Sequence, residues 1–254
     1  MKYFLILIVV VLCACNNTPD NGFTHKAEAK NRHFLWFKIG KWIEYIDSTH
    51  EVTSDTNAAY YSLKTYQMGS IVGMAHQYYK DGKLYGEIPY KYEHINGLVK
   101  WYYESGSLKE EAPHKNGRIE GIVKVYYDSG GAIKNEIPYT FGKRNGLAKG
   151  YYKNGNIKDE APYVKGKRVG MLKWYYENGK LKEEDPYIND VTSGIVKCYY
   201  ENGAINEESN FRNDKRSGIT NCYFENGKLK AIKYYTYGVL DSTKEYDELS
   251  NKVK

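Results

Sequence analysis

The chain has 254 residues, with 37 Lys and Arg against 31 Asp and Glu, for a formal charge of +6. Lys and Glu are interspersed instead of blocked, so the basic or acidic tail that marks a nucleic-acid partner is missing and no such partner is expected. Tyrosine dominates the aromatics, 28 against 7 Phe and 4 Trp, which points to a wide sheet with thin cores, because Tyr favours strands and tolerates half-burial with its hydroxyl in water.

Residues 1–14, MKYFLILIVVVLCA, read as a targeting segment: Lys2 supplies the positive start, and Phe4 to Leu12 form an apolar run too short for a stable span. Leu12-Cys13-Ala14-Cys15 resembles the lipobox of bacterial lipoproteins. That resemblance implies cleavage before Cys15, lipidation of its sulfur and attachment to a membrane of the bacterial cell envelope, several acyl chains holding where one would not. An ordinary signal peptide cut elsewhere is the alternative. The polar run from Asn16 to Asn31, with Pro19 and Gly22, reads as a flexible tether, so residues 15–37 are expected to be an anchored linker.

Beyond the linker the chain repeats itself. Units start at Gly73, Gly97, Gly121, Gly146, Gly170, Gly194 and Gly218, at steps of 24 residues except for one of 25 that carries an additional residue in Ser129-Gly130-Gly131-Ala132. An eighth unit is disguised: Gly40-Lys41-Trp42-Ile43-Glu44-Tyr45 matches a start and Tyr66-Gln67-Met68-Gly69 an end, with nine residues inserted around Ser48 to Asn57. Hairpin tips accept such insertions cheaply.

Each half-unit reads as a strand, and the halves are joined by Asp81-Gly82, Ser105-Gly106, Asn154-Gly155, Asn178-Gly179, Asn202-Gly203 or Asn226-Gly227. Such pairs predict two-residue type I′ hairpins. Second strands are expected to end at Pro89, Pro113, Pro138, Pro162 and Pro186, where a missing N–H does least harm. Under this rule Lys173 faces Glu184, Tyr175 faces Lys182 and Tyr176 faces Leu181; Lys100–Glu111, Lys149–Glu160 and Lys197–Glu208 repeat the first pairing. In the last unit both partners change together, to Asn221 and Ile232, which argues for a cross-strand ladder that sets register, not a catalytic row.

Alternation puts Val99, Trp101 and Tyr103 with their equivalents, among them Trp174, on a drier face. Leu98, Lys100 and Tyr102 fall on the other. Tyr102, Tyr126, Tyr151, Tyr175, Tyr199 and Tyr223 then line up along the sheet as a candidate binding surface, with ladder packing as the bland alternative, and Trp101 and Trp174 complete the candidate set.

At these residues the chain resembles the MORN-repeat variant family. Gly146, Tyr151, Tyr152, Asn154-Gly155, Ile157, Glu160, Tyr163, Gly166 and Gly170 carry most of its unit; the match spans about residues 38–241 and departs at Asp190-Val191, where the spacer Gly is lost. The resemblance implies an elongated antiparallel sheet built hairpin by hairpin, and members described as membrane-proximal scaffolds, protein-binding modules or antitoxins. It carries no catalytic residues.

Chemistry is sparse elsewhere. The six His are scattered without Cys partners at ligand spacing, so no metal is expected, and no phosphate loop, dinucleotide fingerprint or nucleophile elbow implies a cofactor or an enzyme. Cys198 and Cys222 are equivalent one repeat apart. In a meander that means two strands, about 9–10 Å, beyond the roughly 4.4–6.8 Å between Cα atoms that a disulfide needs; a stacked β-helix would bring them into range. Trp-Tyr-Tyr-Glu-Ser-Gly is also similar to choline-binding cell-wall repeats, whose aromatic cages hold quaternary ammonium groups.

The expected object is therefore all-β: an elongated antiparallel β-meander or solenoid of about eight hairpin repeats, period 24 residues, roughly 75 Å long at about 4.8 Å per strand. Residues 1–14 are signal peptide, 15–37 tether, 38–241 repeat domain and 242–254 a cap or tail. Its expected role is a membrane-anchored scaffold that meets a protein or envelope partner through a Tyr/Lys/Glu surface. Binding of a cell-wall glycan or lipid headgroup, and an antitoxin-like role, are the alternatives.

Overall fold

The computed structural model describes residues 22–249; the signal segment and Cys15 lie outside them. Among the described residues strand follows strand in a single antiparallel sheet of 24 strands, with each long strand paired to its neighbours in sequence. The disguised first unit is real: Phe37–Ile46 pairs with Tyr60–Gln67, Gly40 opposite Tyr66, and the inserted loop adds only the short strand Val52–Thr53.

The hairpins keep the predicted register along most of their length. Lys173 pairs with Glu184, as Lys100 does with Glu111, Lys149 with Glu160 and Lys197 with Glu208. Near the tip the register shifts by one residue, so that Tyr175 faces Leu181 instead of Lys182. The cause is the turn. Tyr176 accepts from the Gly179 N–H at 2.9 Å and donates its own N–H to the Lys180 carbonyl at 2.8 Å. Within this loop only Gly179 has positive φ, 85°. This is a three-residue loop, a type I turn closed by a glycine bulge, and not the expected type I′ pair. The Asn178 side chain holds it by accepting the Lys180 N–H at 3.0 Å.

The type I′ turns sit instead at the junctions between units, where both central residues take positive φ. Examples are Asn116 and Gly117 (49° and 78°), Lys165 and Gly166 (49° and 93°), and Asn189 and Asp190 (52° and 71°). Asp190 replaces the spacer glycine, and its carboxylate accepts the Arg168 N–H at 2.9 Å from the preceding junction. Asn and Asp are the non-glycine residues that most readily take this conformation, and here the bond from the preceding junction holds the Asp190 side chain in place.

The prolines lie inside their strands, not at the ends. Pro162 is in Ile157–Val164, opposite Leu147, and its carbonyl accepts the Val169 N–H at 3.0 Å where the neighbouring strand kinks. The repeat-initial glycine faces this ring. At Gly146, φ is 119° and an added Cβ would lie 3.0 Å from Pro138 Cγ, so the position takes no side chain for two independent reasons.

One face holds a line of small buried residues, Ala75, Ile88, Val99, Ala112 and Val123, shielded by Tyr90, Ile95, Trp101, Ile119 and Tyr139 leaning over them. A single layer buries a core this way because large neighbours roof small centres. The other face is covered at its N-terminal end by residues 22–30, expected as free tether. Phe23 is 3 % exposed, packed with Tyr61, Leu63 and Tyr78. Glu28 bridges Lys41, and Asn31 grips the outer edge of the first long strand through both the N–H and the carbonyl of Ile43. Arg32–Phe34 then pairs as a short strand with Phe37–Ile39 of the next. At the other end, residues 242–245 of the expected tail belong to the last strand, Val239–Glu245.

Candidate interaction surface

The tyrosine row lines up as the alternation predicts, and its hydroxyls are spent inside the sheet. Tyr102 donates to Glu87 at 2.8 Å, Tyr126 to Glu111 at 2.8 Å, Tyr151 to Glu136 at 2.8 Å, Tyr175 to Glu160 at 2.9 Å, Tyr199 to Glu184 at 2.9 Å and Tyr223 to Glu208 at 3.2 Å. Each acceptor belongs to the preceding unit. Its second carboxylate oxygen meets the lysine of its own hairpin: Lys149–Glu160 at 3.4 Å, Lys173–Glu184 at 3.6 Å and Lys197–Glu208 at 3.1 Å. One glutamate thus ties hairpin to hairpin, and the lysine ladder and the tyrosine row are one network. Burial, followed by the glutamate that accepts the bond, pushes the phenols of Tyr126, Tyr151, Tyr175 and Tyr199 up to about 12.

The adjacent tyrosine of each doublet makes a second ladder on the opposite face, pointing the other way along the sheet. Tyr79 donates to the Tyr102 carbonyl, Tyr103 to Tyr126, Tyr127 to Tyr151, Tyr152 to Tyr175, Tyr176 to Tyr199 and Tyr200 to Tyr223, at 2.6–2.9 Å. Alternation places these residues on the packed face but does not reveal the ladder. The invariance of the Tyr-Tyr doublet from Tyr78-Tyr79 to Tyr199-Tyr200 was the available signal.

Trp101 and Trp174 lie on that opposite face, so the eight candidate aromatics do not form one surface. Trp101 rests on Gly86, where any Cβ would strike its ring, and meets Tyr85 at 5.0 Å. Tyr85 continues into a stack with Tyr60 and His50 from the inserted loop. Trp174 stands between Asp159 and Glu183 in register.

Beside the tyrosine row, on the face where alternation puts Leu98, Lys100 and Tyr102, runs a second row, of aliphatic side chains. From Gly97 onward the residue after the initial glycine is aliphatic and open to solvent: Leu98, Ile122, Leu147, Met171, Ile195 and Ile219, 41–51 % exposed. The first four stand opposite Pro113, Pro138, Pro162 and Pro186. The lysines of the ladder lie two residues further along each strand; Lys149, Lys173 and Lys197 are 35–40 % exposed. This face therefore presents parallel rows, aliphatic, basic and phenolic, at the repeat spacing. An aligned row of exposed apolar side chains bordered by charge is a candidate interaction surface.

The drier face carries charge toward its C-terminal end. Burial, then repulsion from Glu183, pushes Asp185 up to about 7. Arg216 bonds Glu207 at 2.6 Å. Cys198 and Cys222 are free thiols flanking Glu207 from its two neighbouring strands, the two-strand separation of a meander. Burial and adjacent carboxylates push Cys198 up to about 12, which removes it as a nucleophile at neutral pH. At the N-terminal end Glu44 is 8 % exposed; burial acts to raise it, but bonds from Lys38 (2.5 Å), Lys64 (2.6 Å) and Tyr66 (2.8 Å) hold it down at about 2. That cluster is internally complete. Among the described residues no group of three or more His, Cys, Asp or Glu is disposed to hold a metal ion.

Six segments of the chain, residues 73–92, 95–116, 144–165, 168–189, 193–213 and 216–237, match the family model described as the MORN repeat variant. Together they cover half of the sequence. The split first unit and the unit at residues 121–143, which holds the additional loop residue, fall outside the matched segments yet share the same hairpin. No curated protein matches the chain.

Proposed function

The chain belongs to the MORN repeat variant family, and from that footing we propose that it is a membrane-anchored scaffold, held through lipid on Cys15, that receives a protein or envelope partner along the face bearing Leu98, Lys100 and Tyr102 with their repeats. The observation that carries this is the exposed aliphatic row from Leu98 to Ile219, flanked by the lysine ladder. The tyrosine hydroxyls are occupied, so the row offers ring edges and a stiff base. The recognition chemistry is apolar contact framed by positive charge. No catalytic step is part of this reading.

The N-terminal segment supports the same face. Residues 22–30 already lie on it, with Phe23 buried among its tyrosines, and Cys15 is seven residues from Gly22. At about 3.5 Å per residue that is a reach of about 25 Å, so an anchor on Cys15 would hold this face close to the bilayer. Basic and aliphatic rows together also suit an anionic lipid headgroup surface, which is the second reading.

Crosslinking pull-down from cell envelopes separates the two. The scaffold reading expects a protein captured by wild type, reduced capture by Cys15→Ala, and loss of capture by Leu147→Asp with Met171→Asp. The lipid reading expects the Cys15→Ala protein to sediment with anionic vesicles and no protein to be captured. A protein captured equally well by the double aspartate variant would refute the assignment of this face.

A further inference from the structure

The repeat departs from its own rule at one place on the face that bears the lysine ladder. From Lys100 to Lys197 each ladder lysine has a glutamate in register on both sides, as Lys149 has Glu136 and Glu160, and Lys173 has Glu160 and Glu184. One unit earlier the lysine becomes His76 and the glutamate before it becomes Leu63, so His76 faces Leu63 on one side and Glu87 on the other. These two exchanges replace charge with a group that can be neutral and with an apolar side chain. Residues 22–30 lie over this patch. Phe23 packs on Tyr61, Leu63 and Tyr78, and an added Cβ at Gly22 would strike the Met74 carbonyl and stand 3.3 Å from His76 Cε1.

We infer that residues 22–30 form an acid-released strap, detached from the sheet when His76 takes up a proton beneath it. His76 is 6 % exposed; its ring is hydrogen-bonded to the Phe23 backbone, and Nδ1 is buried without a hydrogen-bond partner among the described residues. A neutral imidazole leaves one nitrogen without a proton, whereas an imidazolium carries N–H on both and a charge besides. The proton therefore puts a donor where nothing accepts it and a charge where the strap shuts out water. From Leu84–Lys91, Glu87 faces the ring in register and favours the charged form, but its carboxylate already accepts the Tyr102 hydroxyl at 2.8 Å, and Lys100 stands on its far side. Tyr61 of Tyr60–Gln67 and Tyr78 of the histidine's own strand add phenols. The strap itself brings Lys26, 3.7 Å over the Tyr61 ring, the exposed His25, and Glu28, which is held by Lys41.

Burial outweighs Glu87 and holds the imidazole below its ordinary value of 6.5 while the strap is docked. The released form, with the ring in water, binds the proton more readily. Docking is therefore strongest above 6.5 and weakens as pH falls, by up to about tenfold in its equilibrium constant per pH unit. Release uncovers the Tyr61–Leu63–Tyr78 patch and Met74, which follows Gly73 and opens the aliphatic row. It also lengthens the tether: Cys15 to Gly22 is seven residues and Cys15 to Asn31 sixteen, so the reach grows from about 25 Å to about 55 Å at about 3.5 Å per residue. That gain in reach rests on the anchored reading above; the release itself does not.

Amide hydrogen exchange of the full chain, corrected for the intrinsic pH dependence of exchange, tests this. At about pH 7.5 the amides of Glu28, Ala29 and Lys30, bonded at 3.0, 3.0 and 2.9 Å, are expected to be protected. At about pH 5 they are expected to lose that protection several-fold while the strand Gly170–Tyr175 keeps its own. His76→Gln, which cannot charge, is expected to remove the pH dependence. His76→Lys, which restores the ladder residue, is expected to leave the strap unprotected at both pH values with the circular dichroism of the sheet unchanged. His25→Gln, beside Glu28 in the strap, is expected to behave as wild type. Equal strap protection at both pH values in wild type, a pH dependence that survives His76→Gln or disappears in His25→Gln, or a strap still protected in His76→Lys would each overturn the inference. The wild-type comparison decides even where a variant fails to fold. Neither membrane nor partner enters the measurement, so failure of the anchored reading would leave its result unchanged.

Discussion

Replacing Tyr175 with Phe removes one oxygen and tests whether the tyrosine row is a stitch or a ligand surface. That oxygen donates to Glu160 Oε2 at 2.9 Å, and the same carboxylate meets Lys149 at 3.4 Å with its side chain only 18 % exposed. A hydrogen bond to a charged acceptor contributes about 1.5–3 kcal/mol when buried. The remaining access of water to Glu160 reduces this to about 1–1.5 kcal/mol, the carboxylate keeping its lysine. For a sheet of this size the loss corresponds to about 2–5 °C in melting temperature. Urea unfolding of Tyr175→Phe, Glu160→Gln and the double variant measures it directly: the double-mutant cycle should return a coupling of about 1 kcal/mol. Tyrosine titration supplies a second readout. The Tyr175 phenol is pushed up to about 12, so between its ordinary value near 10 and 12 the folded state holds a proton that the unfolded state has released. Stability therefore falls as pH rises through that window, and the Phe variant loses less. A coupling indistinguishable from zero, with unchanged alkaline stability, would show that the Tyr–Glu contact does no structural work and would return the row to the list of binding surfaces.

Four further outcomes follow from the same geometry. Gly146→Ala meets both a positive φ and Pro138, and should cost about 2–3 kcal/mol by urea unfolding; Gly155→Ala at a hairpin tip, with positive φ but open space, should cost about 1 kcal/mol. Asp185→Asn should stabilise the sheet above neutral pH and be nearly silent at pH 4, because a carboxyl raised to about 7 penalises the folded state increasingly as pH climbs from its unfolded value. After allowance for solvent screening at this half-buried site the gain is about 1 kcal/mol, read from melting curves across pH. Phe23→Ala should free residues 22–30, costing about 2–4 kcal/mol and opening them to proteolysis and fast amide exchange. Non-reducing mass spectrometry of the oxidised protein should find Cys198 and Cys222 unlinked, and a bridge between them would contradict the strand order.

By itself the sequence determined whatever is local to one hairpin. The period, the number of units, the split first unit and the Lys173–Glu184 register all follow from pairing rules that act over a dozen residues, and the structure reproduces them. The turn chemistry was underdetermined at the same range. Asn178-Gly179 satisfies a type I′ turn and a type I turn with a glycine bulge equally well, and the choice depends on a one-residue shift beside Tyr175. True type I′ turns fell partly on pairs such as Phe141-Gly142, with φ of 49° and 75°, which carry no turn signature in their first residue.

What only the tertiary structure decided is how neighbouring hairpins sit against each other. The offset that brings Tyr175 to Glu160, Tyr176 to the Tyr199 carbonyl and Phe23 onto Tyr61 and Tyr78 is set between units, by packing of one hairpin on the next. No pairing rule within a unit reaches that far. For the same reason the candidate surface moved from the phenol groups to the aliphatic row: a tyrosine's place in the string says which face it takes, but not whether a glutamate of the previous hairpin is already waiting for its proton.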